Sequence, residues 1–152
     1  MVEKTLLRVV AKLLIPPITL FSLYVQFHGD FGPGGGFQAG VILATVFILY
    51  ALIFGISLAR KVISAQSSRV LLSLGVLLYA GTGIATMVMG GEFLNYSYLA
   101  KTQLKGQHLG IFLVELGVFM TVAGSMITIF YTFAGHVKGA NCHLNRQDQP
   151  HD

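Results

Sequence analysis

Long apolar runs, separated by short polar or glycine-rich segments, dominate the chain. Residues 31–59 carry no charged side chain, and three other stretches are nearly as apolar. About 20 apolar residues, each rising 1.5 Å, suffice to cross the hydrocarbon core of a bilayer. Runs of this length without strict alternation are typical of membrane helices and not of barrel strands. The pattern predicts an all-α, polytopic membrane protein with four transmembrane helices, at about residues 6–27, 37–59, 69–89 and 109–133.

The composition supports the same class. Of the 152 residues, 54% are hydrophobic and only 11% are charged. In a typical soluble domain about 25% of the residues are charged. This balance excludes a soluble globular protein. The prediction divides the chain into a transmembrane domain, residues 1–137, and a short polar tail, residues 138–152.

The first predicted span is the least regular, because it contains Arg8, Lys12 and the pair Pro16-Pro17. Both cations can extend to the membrane interface while their aliphatic stems stay in the apolar region. A cleaved signal peptide is the alternative interpretation, but the prolines break its apolar region and no small-residue cleavage site follows. We therefore expect a retained helix that is kinked where each proline removes a backbone donor.

The positive residues predict the orientation of the chain. Of the ten Lys and Arg residues, eight fall on one side of the predicted spans, whereas Lys101 and Lys105 fall on the other. Because cytoplasmic segments are enriched in positive residues, both termini are predicted to be cytoplasmic and residues 90–107 external. The net charge of +4 then reflects topology and does not indicate a nucleic-acid partner. The eight residues are Lys4, Arg8, Lys12, Arg60, Lys61, Arg69, Lys138 and Arg146.

Small residues recur at helical spacing in two of the predicted spans. Lipid tails offer no hydrophobic drive for helix association, so small residues that permit close backbone approach are typical of helix contacts in membranes. Two uses of these faces are open: packing within this bundle, or contact with other subunits. The residues are Gly36, Gly40 and Ala44, then Ala51, Gly55 and Ala59, and in the fourth span Gly110, Gly117 and Gly124 with Thr121 and Thr128.

Glu115 is the only acidic residue well inside a predicted span. A charge near the bilayer centre costs on the order of 3 kcal/mol on insertion scales, so such a residue usually faces protein or water. Helical spacing places His108, Phe112 and Phe119 on the same face, opposite the glycines of the fourth span. Glu115 is therefore a candidate for an ion or proton pathway, with structural hydrogen bonding as the alternative. A partner is expected from Thr82 or Thr86, or from another chain.

The segment FHGDFGPGGGF, residues 27–37, connects the first two spans, and we call it the hinge. Asp30, and His108 in the fourth span, are candidates for a polar mouth at the external side. The backbone amides that open a helix attract anions, but no Lys-Ser/Thr pair follows the glycines, so a phosphate loop is excluded. No nucleophile, base and oxyanion site come together in the sequence, and independent catalysis is not expected.

Cys142 is the only cysteine, so no internal disulfide is possible. His136 and His143 lie near it and suggest a metal site. Scattered donors in a polar tail do not form a ligand framework, however. We expect neither a metal nor another cofactor.

The segment PGGGFQAG, residues 33–40, follows His28 and opens a hydrophobic helix. It resembles the B-subunit (MnhB/MrpB) family of multisubunit Mrp-type cation/proton antiporters. The four-span plan, the short basic second loop and the polar tail extend the resemblance over nearly the whole chain. The motif residues matched one by one are His28, Pro33, Gly34, Gly35, Gly36 and Phe37, and the resemblance implies a positioning role for them.

The resemblance also implies a function. Members of this family are small accessory subunits of a hetero-oligomeric complex in the bacterial cell (inner) membrane. The complex exchanges sodium, and sometimes potassium or lithium, for protons, and it draws its energy from the proton gradient. Other subunits, membrane lipid and the transported Na⁺ and H⁺ are then the expected partners. The family motif gives no assignment for Glu115.

Two alternatives stay open at the level of the sequence. The first is the homologous subunit of a membrane-bound hydrogenase or a related redox-driven pump. The second is a four-helix haem or quinone module, in which His28 and His108 would supply two axial ligands. Axial histidines normally lie well within helices and not at a loop edge, which disfavours the second alternative.

Overall fold

The computed structural model of the chain describes residues 2–29, 35–99 and 103–147. Within these ranges all regular structure is helical, and four helices are long and apolar enough to cross a membrane. The predicted all-α, four-span class is confirmed. The helices are α1 Val2–His28, α2 Gly36–Phe54, α3 Ile56–Val62, α4 Ala65–Val88 and α5 Gln103–Gln147, with a short 3₁₀ turn at Tyr96–Tyr98.

The second span ends earlier than the sequence suggested. Residues 37–59 were expected to form one helix, but the helix stops at Phe54 and α3 begins after Gly55. Gly55 has φ +97°, a left-handed conformation that side chains resist and glycine accepts. The repeat of Ala51, Gly55 and Ala59 therefore does not form one continuous helix face. Ala51 and Ala59 are nevertheless both buried, one on each side of the break.

α1 and α5 extend beyond both of their predicted limits, and α4 begins before its predicted start. α1 continues through Pro16-Pro17 to His28. α4 begins at Ala65, because the Ser64 side chain accepts a hydrogen bond from the Ser67 N–H at 3.0 Å and caps the helix. α5 is 45 residues long and continues into the polar tail, whose residues 148–152 lie outside the described ranges.

α5 lies between α4 on one side and α2 on the other. On the α4 side, a Cβ atom at Gly124 would lie 2.7 Å from the backbone nitrogen of Leu72, so the two backbones are in direct contact there. The Ser68 hydroxyl donates to the Gly124 carbonyl at 2.9 Å across the same interface. The glycine face of α5 therefore packs against α4 within this chain. Of the two uses open for this face, packing within the bundle and contact with other subunits, the first is observed.

The buried apolar core lies toward the end of the bundle that carries α3. Its members come from α2, α3 and α5: Ala44, Phe47, Ala51, Ala59, Ile127 and Tyr131. The Tyr131 hydroxyl donates to the Ile63 carbonyl at 2.6 Å, which ties α5 to the turn before α4. At the opposite end, which we call the hinge end, the segment after α4 folds back on the helices. Phe93 packs on Gly83, and Tyr96 packs on Gly110.

Tyr96 closes the hinge end between α4 and α5. Burial of its ring raises the pKa of the hydroxyl, and Tyr79 raises it further. The side chain is therefore neutral at physiological pH. The Thr86 hydroxyl also accepts a hydrogen bond from the Leu94 N–H at 3.1 Å, which fixes the same segment against α4.

The contact between α4 and α5 predicts opposite effects for two glycines of α4. A Cβ atom at Gly75 would lie 2.6 Å from the Gly117 carbonyl oxygen, whereas one at Gly81 would have no neighbour within 4 Å. Gly75→Ala should cost about 1–3 kcal/mol through overpacking. Gly81→Ala should be neutral or slightly stabilising, because alanine favours the helix. The midpoint of thermal unfolding of the purified protein measures both, and equal midpoints would contradict the packing.

The charge distribution predicts the side on which α4 begins. Ser64 is exposed at that end, and Glu92 is exposed at the hinge end. With Cys142 replaced by serine, Ser64→Cys should resist a membrane-impermeant thiol reagent in intact cells, whereas Glu92→Cys should react. Strong external labelling at position 64 would overturn the orientation.

Candidate functional site

The Glu115 carboxylate lies at the connection between α1 and α2. A Cβ atom at Gly29 would lie 2.5 Å from Glu115 Oε2, and one at Gly35 would lie 3.4 Å from Oε1. The acidic group of α5 therefore occupies the space that a side chain at Gly29 would fill, and it lies at van der Waals distance from the Cβ position of Gly35. Gly35 and Glu115 are 80 residues apart, and no pattern in the sequence indicates that they are neighbours.

The start of α2 favours a carboxylate at this position. Gly35 is the N-cap residue of α2, with φ +147°. As a glycine it has no side chain that could form a capping hydrogen bond. The first N–H groups of a helix lack intrahelical acceptors and form the positive end of its dipole, where anions are stabilised. The Glu115 carboxyl group thus lies close to the N-terminal end of α2.

The two threonines considered as partners are engaged elsewhere. The Thr82 hydroxyl donates to the Tyr79 carbonyl at 2.7 Å, and the Thr86 hydroxyl donates to the Gly83 carbonyl at 2.7 Å. Both bonds lie within α4. The Glu115 carboxyl group lies against Gly29 and Gly35, while both threonine hydroxyl protons are used within α4.

The backbones of α2 and α5 also touch beside the carboxylate. A Cβ atom at Gly36 would collide with the Glu115 carbonyl oxygen, and one at Gly40 would lie 2.9 Å from the Phe119 carbonyl oxygen. The small residues of α2 are therefore used for contact inside this chain, like those of α5. The absence of side chains at Gly36 and Gly40 lets Glu115 and Phe119 approach α2.

The site is recessed from the hinge end of the bundle. Gly117 is level with Tyr79, since a Cβ atom there would lie 3.0 Å from the Tyr79 nitrogen. From Tyr79, α4 runs nine residues further to Val88. At 1.5 Å per residue, the Glu115 level lies roughly 10 Å below the end of α4. The carboxylate thus lies below the end of α4 but level with the end of α1 and the start of α2.

Gln26 is a buried polar residue that the sequence analysis did not single out. It is 2% exposed, and neither its Oε1 nor its Nε2 has a hydrogen-bond partner among the residues that the structure describes. Ser22, one turn earlier, is fully buried and donates to the Ala39 carbonyl at 2.8 Å. A buried polar group without a partner costs about 1–3 kcal/mol. The one feature of the sequence that indicates a special role for Gln26 is its position as a polar amide between Val25 and Phe27 in an uncharged run.

The other predicted residues are more peripheral. The His28 ring stacks on Tyr24 with centroids 5.0 Å apart. Phe37 is 63% exposed. His108 is exposed on α5, seven residues before Glu115. The structure therefore brings together Gly35, Gly36 and Glu115. Asp30, Pro33 and Gly34 fall outside the described ranges.

The described residues do not contain a group of three or more His, Cys, Asp or Glu side chains that could hold a metal ion. The side chains of His136, Cys142 and His143 are outside the part of the chain in which side chains are described. What the site offers is one titratable carboxyl group beside the end of α1 and the start of α2. Such a group can take up and release a proton.

These features define a multi-pass helical membrane protein with a recessed polar site between its helices. A family model described as "Domain related to MnhB subunit of Na+/H+ antiporter" matches residues 6–128. Proteins named "Putative antiporter subunit mnhB2" from Staphylococcus aureus strains Newman and JH1 are each 34% identical over 132 residues, which is 85% of this chain and 93% of theirs. The chain belongs to the MnhB family.

The contact between Gly36 and Glu115 predicts the effect of a larger residue. Gly36→Val should force α2 away from α5, because the new side chain meets the α5 backbone, which cannot rotate aside. The yield of assembled complex should fall several-fold, on the order of a 1–3 kcal/mol overpacking cost. Gly81→Val, at an open position of α4, is the matched control. Wild-type yield and wild-type cation-dependent growth in Gly36→Val would contradict the packing.

Proposed function

We propose that this chain is a small accessory subunit of a multisubunit Na⁺/H⁺ antiporter in the bacterial cell membrane, without independent catalysis. Membership of the MnhB family carries the proposal. The names of the relatives favour an antiporter over a hydrogenase-type complex. Na⁺ and H⁺ are then the cargo of the whole complex, and the other subunits are the partners of this chain.

The location of Glu115 supports a place for it on the ion or proton route of that complex. Transporters commonly form ion sites where membrane helices end or break, so that free backbone groups and a charged side chain meet inside the bilayer. Here α1 ends, α2 begins, and an acidic side chain of α5 lies between them. A carboxyl in this position can take up and release a proton, which a purely apolar junction cannot do.

The partner subunits contact surfaces other than the glycine faces, because those faces are occupied within the chain. α1 carries a suitable surface. Four large apolar residues on it recur every seven positions and are more than 60% exposed: Leu6, Leu13, Leu20 and Phe27. Residues seven apart lie on the same side of a helix, so the four form a continuous apolar stripe that a neighbouring helix or lipid can cover.

Glu115→Gln tests the pathway role, because it keeps the shape of the side chain and removes the titratable proton. We expect normal assembly and a loss of Na⁺-dependent proton exchange on the order of 100-fold, the range in which a positioned acid or base contributes. Exchange is measured in inverted vesicles by a pH-sensitive dye, beside the yield of assembled complex. Glu92→Gln, at an exposed position after α4, is the control and should behave as wild type. Wild-type exchange in fully assembled Glu115→Gln would end the pathway role.

A further inference from the structure

We propose that a groove between α1, α2 and the end of α3 binds an acyl chain of an anionic phospholipid, and that Arg8, Lys12 and Arg60 bind the phosphate group of that lipid. The proposal concerns a lipid site and does not depend on the pathway role of Glu115. It stands on a cavity with apolar walls and on the cations near one end of it.

The groove opens where α1 separates from α5. Near the hinge end the two helices are in contact, because the rings of Phe27 and Phe112 stack there with centroids 6.0 Å apart. Toward the opposite end, which carries α3 and which we call the α3 end, Ile15 of α1 and Ile127 of α5 line a groove of about 330 Å³. This volume is within the range of small-molecule sites. The other walls are apolar too, and they include Leu43, Phe47, Val62 and Ile63.

Two cations of α1 lie on the side of that helix that lines the groove. Lys12 is three residues before Ile15 and Arg8 is seven residues before it, and residues at these spacings share one side of a helix. At 1.5 Å per residue, they lie about 5 and 10 Å from the level of Ile15, toward the α3 end. Both side chains are exposed, whereas Ser22, seven residues after Ile15, is fully buried. The side of α1 that is closed at Ser22 is therefore open at the two cations.

Arg60 supplies a third cation from α3. Its Cζ atom lies 5.6 Å from the centroid of the Tyr131 ring, and the Tyr131 hydroxyl donates to the carbonyl of Ile63, which lines the groove. Tyr131 is four residues after Ile127, so the ring beneath Arg60 lies about 6 Å from the level of Ile127, again toward the α3 end. An arginine above an aromatic ring still presents N–H groups at its edge, which suit phosphate oxygens.

The charge at the α3 end favours an anionic occupant. In the predicted topology, the side that carries α3 has eight Lys and Arg residues but three acidic residues, Glu3, Asp148 and Asp152. An acyl chain gains little on moving from the bilayer into an apolar groove, because lipid tails are as apolar as the groove walls. Selectivity must therefore come from the head group. Basic pockets between membrane helices at the cytoplasmic side are typical sites for anionic head groups. A purely apolar partner helix would fill the groove without using the cations.

The first test measures the head-group preference of the groove in the wild-type complex. The complex is reconstituted in phosphatidylcholine vesicles that contain a trace of either phosphatidylglycerol or phosphatidylcholine with a photoreactive group on one acyl chain. Mass spectrometry then identifies the labelled peptides. Phosphatidylglycerol should label the segments around Phe47 and Ile127 about fivefold more than phosphatidylcholine does, or by a larger factor, because each nearby cation contributes about a factor of five. Equal labelling by both lipids, or a groove covered by a partner subunit and closed to both, would overturn the proposal.

The second test removes one cation at a time. Arg60→Gln and Lys12→Gln should each lower labelling of the groove by phosphatidylglycerol about fivefold. Arg60→Lys keeps the charge and should lose less than Arg60→Gln. Arg69→Gln is the matched control, because Arg69 is exposed on α4 and the described lining of the groove contains no residue of that helix. Equal losses in Arg60→Gln and Arg69→Gln would indicate general attraction to a basic surface and would overturn the site. The wild-type comparison needs no substitution, so it decides the proposal even where a variant fails to assemble.

Discussion

The close approach of hinge glycines to Glu115 is the contact on which the arrangement of this bundle depends. Side chains at Gly29 or Gly36 would occupy the space of the Glu115 carboxylate or of its carbonyl oxygen. The lack of a side chain at these positions lets the end of α1 and the start of α2 meet the middle of α5. The Glu115 carboxyl group thereby lies beside Gly35, the N-cap residue of α2.

The rest of the bundle follows from the same physical condition. Inside a bilayer the hydrophobic effect does not hold helices together, so packing and hydrogen bonds must do so. α5 packs against neighbouring helices on two sides. At Gly124 it contacts the backbone of α4, and at Glu115 and Phe119 it contacts α2. The Ser68 hydroxyl adds a hydrogen bond to the Gly124 carbonyl of α5. The surfaces left over are large apolar side chains, which suit lipid or neighbouring subunits.

The sequence predicted the four spans well, because uncharged runs longer than a bilayer leave few alternatives to a helix. It did not predict the break at Gly55, because the apolar run continues through this residue. The sequence alone does not distinguish a glycine within a helix from a glycine at which a helix ends. It identified Glu115 as an unusual acidic residue but did not predict its neighbours. Those neighbours depend on how helices that are distant in sequence are rotated about their axes when they pack. Gln26 escaped notice for the same reason: burial depends on the face of α1 that meets the bundle.

The central claim is that the end of α1 lies against α5 at the level of Glu115 in the assembled complex. Phe27 and Phe112 flank this contact, with ring centroids 6.0 Å apart. With Cys142 replaced by serine, the pair Phe27→Cys and Phe112→Cys should be joined rapidly by a short bifunctional thiol reagent. The pair Phe27→Cys and Leu104→Cys should not, because Leu104 lies about two turns before Phe112 on α5. Equal cross-linking of both pairs, or none at 27 and 112, would contradict the account.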